Sequence, residues 1–522
     1  MTARRVGTAS SISIALAAGL WATGCPKEEE KKEPEPCTAG TECEGGKACE
    51  TVAGTADTVC TDPVFVEGQV VSSAGGAAVT AAQVLLLDNT GAPYTAPATT
   101  GADGTYSIRV RVERSAAGAP QARAFTLRAA AQGFETFPTA PRRALPIDAA
   151  DAVLANGKWV VSGDLTHIEL DPLAAAGLGS ISGSITGVDD VALRGGVLVT
   201  LTGAAGASTG LVALTLPDGA FTLHNVPAGT YTVRGYSAGL QLTPAADVVV
   251  AASANVENVP LAKAAAPTGT VNGSITPVAG GCTLGTSVVL VPRETMPPGT
   301  TFPLTAVSAI RGEVPRGLRA PGPPAPPNIT GSYAISGVPD GTYEVLAAWE
   351  NDPDPCVFDP SGIAGAFYVS ETTVPATSGS RDVTLDAFKV TGAVSITGPG
   401  AGDGIEQLAT TTTTFNWQAY SSSKNYQLAV FDAAGRRVWA TTACADAASS
   451  CSTTSLTYGT AGGGTTQPAT APALAADSVY QWRVIAIGTR NGATCGFPGM
   501  ELTQDRECIS ISEDQRGLFR TP

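Results

Sequence analysis

The chain has 522 residues, with 60 glycines, 37 prolines and a formal charge of −15. That acidity argues against a nucleic-acid partner, since phosphate binding needs a basic face, and only two histidines and three methionines thin out the available chemistry. Abundant glycine and proline with scarce amphipathic patterns predict an all-β chain of short strands and turns, roughly three or four domains long.

Residues 1–24 read as an export signal: Arg4 and Arg5 precede an apolar run from Ile12 to Ala22. The run falls short of the roughly 20 apolar residues that span a bilayer. It ends in "ATGC", Ala22 to Cys25, which resembles the lipobox of bacterial lipoproteins. The resemblance implies cleavage before Cys25 and lipidation of that residue. It departs in placing Ala22 where a large aliphatic residue is usual, and an ordinary signal peptide with a free Cys25 is the alternative. Residues 25–36, with "PKEEEKKEPEP", are too charged and proline-rich to bury a core and read as a flexible tether. The expected location is the bacterial cell envelope, lipid-anchored at the outer membrane, periplasmic or surface-exposed.

Ten further cysteines fall into even groups: Cys37, Cys43, Cys49 and Cys60; Cys282 and Cys356; Cys444, Cys451, Cys495 and Cys508. Disulfides formed in an oxidising compartment explain that grouping. The first group lacks a CxxC pair, which argues against a zinc knuckle. Residues 37–62 thus predict a small module with two disulfides, its three possible pairings left open.

Three units follow, at 63–175, 178–265 and 268–388. Each opens on a short strand, "GQVV" at Gly68 and "GSIT" at Gly183 and Gly273, and continues to "DGTYSI" at Asp103, "DGAFTL" at Asp218 and "GSYAI" at Gly331. The interval from opening glycine to aspartate is 35 residues in both of the first two units. The third unit is 22 residues longer, and the proline-rich stretch 311–330 is the evident insertion. It cannot form a central strand, and reads equally as a functional loop or as disorder.

In "GAFTLHNVPAGTYTVRG" (Gly219 to Gly235), period-two alternation puts Phe221, Leu223, Tyr231 and Val233 on a buried face. Thr222, His224, Thr232 and Arg234 then face outward. The combination G-x-[VI]-x, D-G-x-[YF]-x-[IL] and V-P-x-G-x-Y-x-V resembles carboxypeptidase regulatory-like domains, which implies transthyretin-like β-sandwiches. The match is weaker in the first unit, where "AFTLRAAAQGFE" (Ala124 to Glu135) replaces the V-P-x-G turn.

Residues 389–522 differ. Phe415 and Trp417, then Tyr426, Leu428 and Val430, and finally Tyr480, Trp482 and Val484 alternate around an aromatic core. This spacing resembles fibronectin type III domains and implies a seven-stranded sandwich. Local bridges are expected to pin the Cys444–Cys451 and Cys495–Cys508 loops. The predicted fold is all-β: tandem β-sandwich modules, three regulatory-like and one fibronectin type III-like, after the disulfide-rich module.

Catalytic signals are thin. Metallocarboxypeptidases carry a regulatory-like sandwich beside their catalytic domain, but here His167 sits in "HIEL" and the only other histidine is His224. Their zinc needs a histidine and glutamate three apart plus a second histidine. His167 reads as a strand residue near the end of the first unit, and His224 as an outward strand residue. Neither a P-loop nor a dinucleotide fingerprint occurs, so no cofactor is expected. Asp352, Asp354 and Asp359 in "NDPDPCVFDP" offer oxygen ligands for calcium, but turn-forming Asp-Pro pairs explain them more simply. Trp349 and Tyr236 are the candidates for sugar stacking, with core placement favoured for Trp349. Isopeptide cross-linking needs a lysine in each sandwich, and residues 180–262 contain none.

The preferred reading is therefore a non-enzymatic lipoprotein, a rod of sandwiches that spaces or displays binding surfaces outside the membrane. Its partners are the membrane, through the N-terminal lipid, and a possible glycan or protein ligand. The alternatives are a carbohydrate- or protein-binding adhesin and, behind it, an accessory subunit of an envelope enzyme.

Overall fold

The computed structural model describes residues 37–522 except 39–42, 88–92, 96, 140–141, 191–192, 280–286, 296–313, 322–328, 349–369, 377–380, 386–387, 392, 403, 421–422, 490–494, 498, 503–504 and 513–515. The architecture is all-β, and the helical elements are three-residue 3-10 turns such as Asp164–Thr166. A two-stranded ribbon, Ala48–Thr51 with Thr58–Thr61, carries the N-terminal disulfides. Four sandwiches follow.

The first three share one plan. In each, the opening strand is the hub of one sheet. Val64–Ser72 pairs antiparallel with Thr105–Val110, and in parallel with Lys158–Val161 and then His167–Leu170. Gly179–Thr186 pairs likewise with Ala220–Val226 and Asn255–Ala262. Gly269–Ala279 pairs with Ser332–Val338, then with Val383–Thr384 and Phe388–Thr391. The facing sheets also correspond. Their order is Ala98–Thr99, Gln83–Leu87, Ala124–Ala130, Ile147–Asp148 in the first unit and Ser208–Leu214, Leu198–Thr202, Gly229–Tyr236, Ala245–Val250 in the second. In the third it is Arg319–Ala320, Ser287–Pro292, Gly341–Ala348, Ser370–Val374.

Register explains why the two sequence markers travel together. The opening glycine lies opposite the aromatic of the D-G-x-[YF] turn: Gly68 opposite Tyr106, Gly183 opposite Phe221, Gly273 opposite Tyr333. A Cβ on Gly183 would sit 1.9 Å from the Val259 carbonyl and 2.7 Å from the Phe221 ring; on Gly68, 1.9 Å from the Thr166 carbonyl and 2.7 Å from the Tyr106 hydroxyl. The ring folds over the bare backbone, so this position tolerates no side chain. Phe221, Leu223 and Val233 are buried as the alternation predicts, each contributing about 1.5–3 kcal/mol of burial. Tyr231 is only partly buried. Its hydroxyl donates 2.9 Å to the Pro227 carbonyl, as Tyr343 does to Pro339, which locks the V-P-x-G-x-Y turn from both ends.

Two expectations change. "AFTLRAAAQGFE" supplies the strand that V-P-x-G-T-Y supplies elsewhere, so the first unit has the full plan despite its divergent sequence. And the proline-rich stretch is not simply an added loop. Its Arg319–Ala320 forms the edge strand beside Ser287–Pro292; Val314 is buried, and Leu318 and Ala320 are buried among core residues that include Leu290 and Tyr343. Proline excludes a central strand but leaves an edge open.

The C-terminal sandwich opposes a three-stranded sheet to a seven-stranded one. Phe415, Trp417, Tyr426, Trp439, Trp482 and Phe519 fill the space between them. The central strands Asn425–Asp432 and Val479–Gly488 are buried on both faces. On the far face Phe431, Ile485 and Ile487 are covered by Phe497, Met500 and Leu502, which lie in the loop closed by Cys495 and Cys508. A sandwich with one apolar core does not anticipate this second layer.

Candidate functional site at the module seams

The polar side chains that attract attention in the sequence converge where modules meet. At the seam between the first and second sandwiches, the strand Ala220–Val226 presents His224 and Asn225 just before its final residue, Val226. Asn225 takes a left-handed conformation (φ 60°), which asparagine tolerates better than most residues. Its Nδ2 donates to the Ala131 and Phe134 carbonyls at 3.0 and 2.7 Å, and its Oδ1 accepts from the Gly133 N–H at 2.7 Å. Gln132 accepts from the Asn225 N–H at 3.2 Å and donates to the Leu178 carbonyl at 3.1 Å.

His224 is not the outward, solvated residue that alternation implies. Its face is turned toward the first sandwich, and its Nε2 is sealed from solvent with no hydrogen-bond partner among the described residues. Burial, and then the nearby Arg128 charge, hold its pKa below the ordinary histidine value. It is a neutral packing group with no partner carboxylate among the described residues, and it lacks there the constellation of a general base.

The same contact recurs one module on. Gly337 occupies the slot of Asn225, again left-handed (φ 74°), and its carbonyl accepts from the Gly239 N–H at 2.7 Å. The turn it meets, Ser237 to Leu240, closes as the Ala131 to Phe134 turn does. In the first unit, Arg109 stands in the slot of His224, and its guanidinium reaches the Lys47 carbonyl of the disulfide module at 3.5 Å. Successive units therefore stack through one repeated, head-to-tail contact.

The second seam is the more polar. Arg234 pairs with Asp340 at 2.9 Å. Gln241 donates to Asp340 and accepts from the Asp340 N–H at 2.9 Å and from Arg381 at 3.3 Å. Tyr236, proposed as an exposed sugar platform, is 1% exposed. It packs edge-on to Tyr343 at 5.8 Å and donates to Glu294 at 2.9 Å. Burial first, and then Glu294, push its phenol well above the usual value, and with its ring buried it cannot stack on a glycan. The inserted segment joins this seam as well: Arg316 donates to the Gly195 carbonyl at 3.2 Å and accepts from the Ala238 N–H at 2.9 Å.

The third seam brings together residues far apart in the chain. The C-terminal sandwich docks on the first one, not as the last bead of a rod. Arg436 pairs with Glu169 and, at 3.0 Å, with Asp171; Arg142 pairs with Asp171 at 2.9 Å and donates to the Ala434 carbonyl at 3.0 Å. The Arg143 N–H donates to the Gly435 carbonyl at 3.1 Å, and Leu145 packs on Val479 and Leu518. Burial works to raise the Asp171 pKa, but a hydrogen bond from Ser73 and the charges of Arg142 and Arg436 hold it below the usual carboxylate value.

The cysteines pair as Cys37–Cys49, Cys43–Cys60, Cys444–Cys451 and Cys495–Cys508. The sulfurs of Cys37, Cys43 and Cys49 lie within 4.8 Å of one another, but as disulfide sulfurs they offer no thiolate to a metal. His167 is an exposed residue of its strand, opposite Gln69. Cys25, Cys282, Cys356, Trp349, Asp352, Asp354 and Asp359 lie outside the described residues. Sequence reasoning passed over Asn225, Gln132, Arg142 and Arg436. The one available signal was Asn225 standing where the third repeat has glycine, which marks a left-handed position.

No known protein family matches the chain, and no curated protein matches it. Solved structures similar to it include the Bacillus anthracis TIE protein (12% identity over 65% of this chain and 52% of that one, TM-score 0.15). Others are the major pilin subunit of Bacillus cereus (11% identity, 63% of this chain and 99% of that one, TM-score 0.17) and a shaft pilin of Lactobacillus rhamnosus GG (11% identity, 40% and 99%, TM-score 0.16). The chain thus spans about half the length of the Bacillus anthracis protein. TM-scores of this size do not carry a shared function. No helix among the described residues is long and apolar enough to cross a membrane.

Proposed function

We propose that the chain is a non-enzymatic lipoprotein of the bacterial cell envelope. Its regulatory-like sandwiches and fibronectin type III-like sandwich form one folded-back scaffold that holds surfaces away from the membrane. The observation that carries this reading is where the polar chemistry goes. Asn225, Arg234, Asp340, Tyr236, Arg142 and Arg436 each bond a neighbouring module, as expected of groups selected to fix relative orientation. Envelope location draws on the export signal, on the lipobox-like "ATGC" ending at Cys25 and on the disulfides, which belong to oxidising compartments.

The test has two arms. Mass spectrometry of the protein taken from membranes should find a lipid-modified Cys25 as the mature N-terminus; an unmodified Cys25 sinks the lipoprotein reading. Glycan and peptidoglycan pull-downs with the chain from Pro26 onward should show no saturable binding. Saturable binding lost in Trp349→Ala would replace the scaffold by an adhesin.

A further inference from the structure

We propose that the hairpin Val153–Val161 of the first sandwich is a membrane-contact tip, which lies in the headgroup layer of the bilayer to which the chain is tethered. This rests on the lipid-anchored reading above. Among the described residues, the exposed large hydrophobic side chains are Val153, Leu154 and Val249, at 69%, 50% and 66%. Two of them are therefore adjacent on one strand.

That strand, Val153–Ala155, is the outer edge of its sheet and pairs only with Lys158–Val161. Residues 153–157 are exposed without interruption, through the Asn156-Gly157 turn. Neighbours in a strand point to opposite faces. Exposure of both Val153 and Leu154 therefore means that the edge strand and its turn project beyond the sandwich, while Trp159 and Val161 on the partner strand pack against its core. Soluble edges are usually blunted by short length, lysine, proline or an inward charge; this edge is short, three residues, but reads Val-Leu-Ala without a charge or proline. Behind it stands a half-buried tryptophan, Trp159, directly across from Leu154. Lys158 lies beside the tip with its ammonium 5.4 Å from the Phe65 ring centroid and 2.8 Å from Glu67, so that pair is neutral, and the exposed Asp151 stands two residues before Val153. An apolar tip backed by tryptophan suits the membrane interface, where an amphipathic indole sits at headgroup level.

Chain geometry keeps the tip within reach of the tether. The Trp159 N–H donates to the Pro63 carbonyl, at the point where the chain leaves the disulfide module, and Cys37 is bonded to Thr58 only five residues earlier. At about 3.3–3.6 Å per extended residue and about 5 Å between strands, Leu154 lies within roughly 30 Å of Cys37. The segment from Cys25 to Cys37 reaches up to about 40 Å by the same measure. A lipid on Cys25 therefore reaches the plane of the tip. Contact must stay shallow. In an antiparallel ladder the bonded pairs alternate, which turns the Leu154 N–H out to the edge, and only water or headgroup oxygens can accept from it there.

The test supplies an anchor that does not depend on Cys25. The chain from Pro26 onward, with an N-terminal histidine tag, is held on phosphatidylcholine vesicles containing a nickel-chelating lipid, and amide exchange is followed at residues 153–155. Every described element lies between Glu44 and Arg520, so this chain keeps the whole folded body. Exchange there should slow at least about tenfold on vesicles relative to the free chain. Val153→Asp combined with Leu154→Asp, at exposed positions outside the core, should abolish the slowing and leave other segments unchanged. Equal exchange with and without vesicles overturns the proposal. So does protection that appears without vesicles and grows with protein concentration, which would mean that two copies pair along this edge. Either result leaves lipid anchoring untouched, because that stands or falls on the mass of Cys25.

Discussion

Replacing Gly435 by alanine should detach the C-terminal sandwich from the first one while both stay folded. Gly435 has φ +75°, and a Cβ built on it would lie 1.8 Å from the Arg143 carbonyl oxygen. Ordinary contact begins at 3.4 Å, so the backbones must part by well over an ångström. The obstacle is backbone of another module, and a rotamer change does not relieve it. Separation forfeits the Arg143 N–H bond, the Arg142 bonds and the Arg436 pairs. At about 0.5–1.5 kcal/mol per hydrogen bond and no more than about 1 kcal/mol for each ion pair, given that their side chains are about one-third exposed, the docked state loses roughly 3–5 kcal/mol. Left-handed alanine alone costs about 1–2 kcal/mol. Gly459→Ala isolates that local cost, since Gly459 has φ +77° and its nearest neighbour is the Ala471 side chain at 3.5 Å. Small-angle scattering should show a larger radius of gyration for Gly435→Ala only, together with a separate thermal transition for the C-terminal sandwich. If both variants scatter like the parent chain, the docked arrangement is wrong.

His224 gives a pH signature. Its pKa is depressed in the folded state, so the unfolded chain binds the proton more readily, and stability present at neutral pH is lost as pH falls through about 6.5. Urea midpoints should drop across that window, and His224→Gln should flatten the drop; an unchanged slope would assign the acid sensitivity elsewhere. Gly183→Ala, which places a Cβ 1.9 Å from the Val259 carbonyl, should cost about 3 kcal/mol or more, and a loss below 1 kcal/mol in denaturant melts would refute the close-approach explanation of the repeat. Leu318→Ala should cost about 2–4 kcal/mol, because the residue is fully buried; a neutral result would mean that the proline-rich segment is not part of the third core.

The repeat motifs carried most of the fold in plain view. Gly183 and Phe221 sit 38 residues apart because they face each other across one ladder, and that constraint is local enough to be written into every unit. The same holds for Tyr231 and Tyr343, whose hydroxyls close turns four residues back. Alternation also named the buried side chains Phe221, Leu223 and Val233. It could not tell what covers the opposite face. A period of two sorts residues between two sides of a sheet, but water and a neighbouring module both accept polar groups when hydrogen bonds are available. His224 and Tyr236 were therefore read as exposed, and only the stacking of the modules decided that Tyr236 is buried and that the His224 Nε2 is sealed from solvent. The docking of Arg436 on Glu169 and Asp171 is the extreme case. These residues are more than 260 positions apart, and no pattern in either segment refers to the other. The sequence by itself determined strands, turns and the residues between the sheets of each sandwich, because those depend on near neighbours and register. The tertiary structure alone decided which outer faces meet, because that depends on the shapes of completed modules.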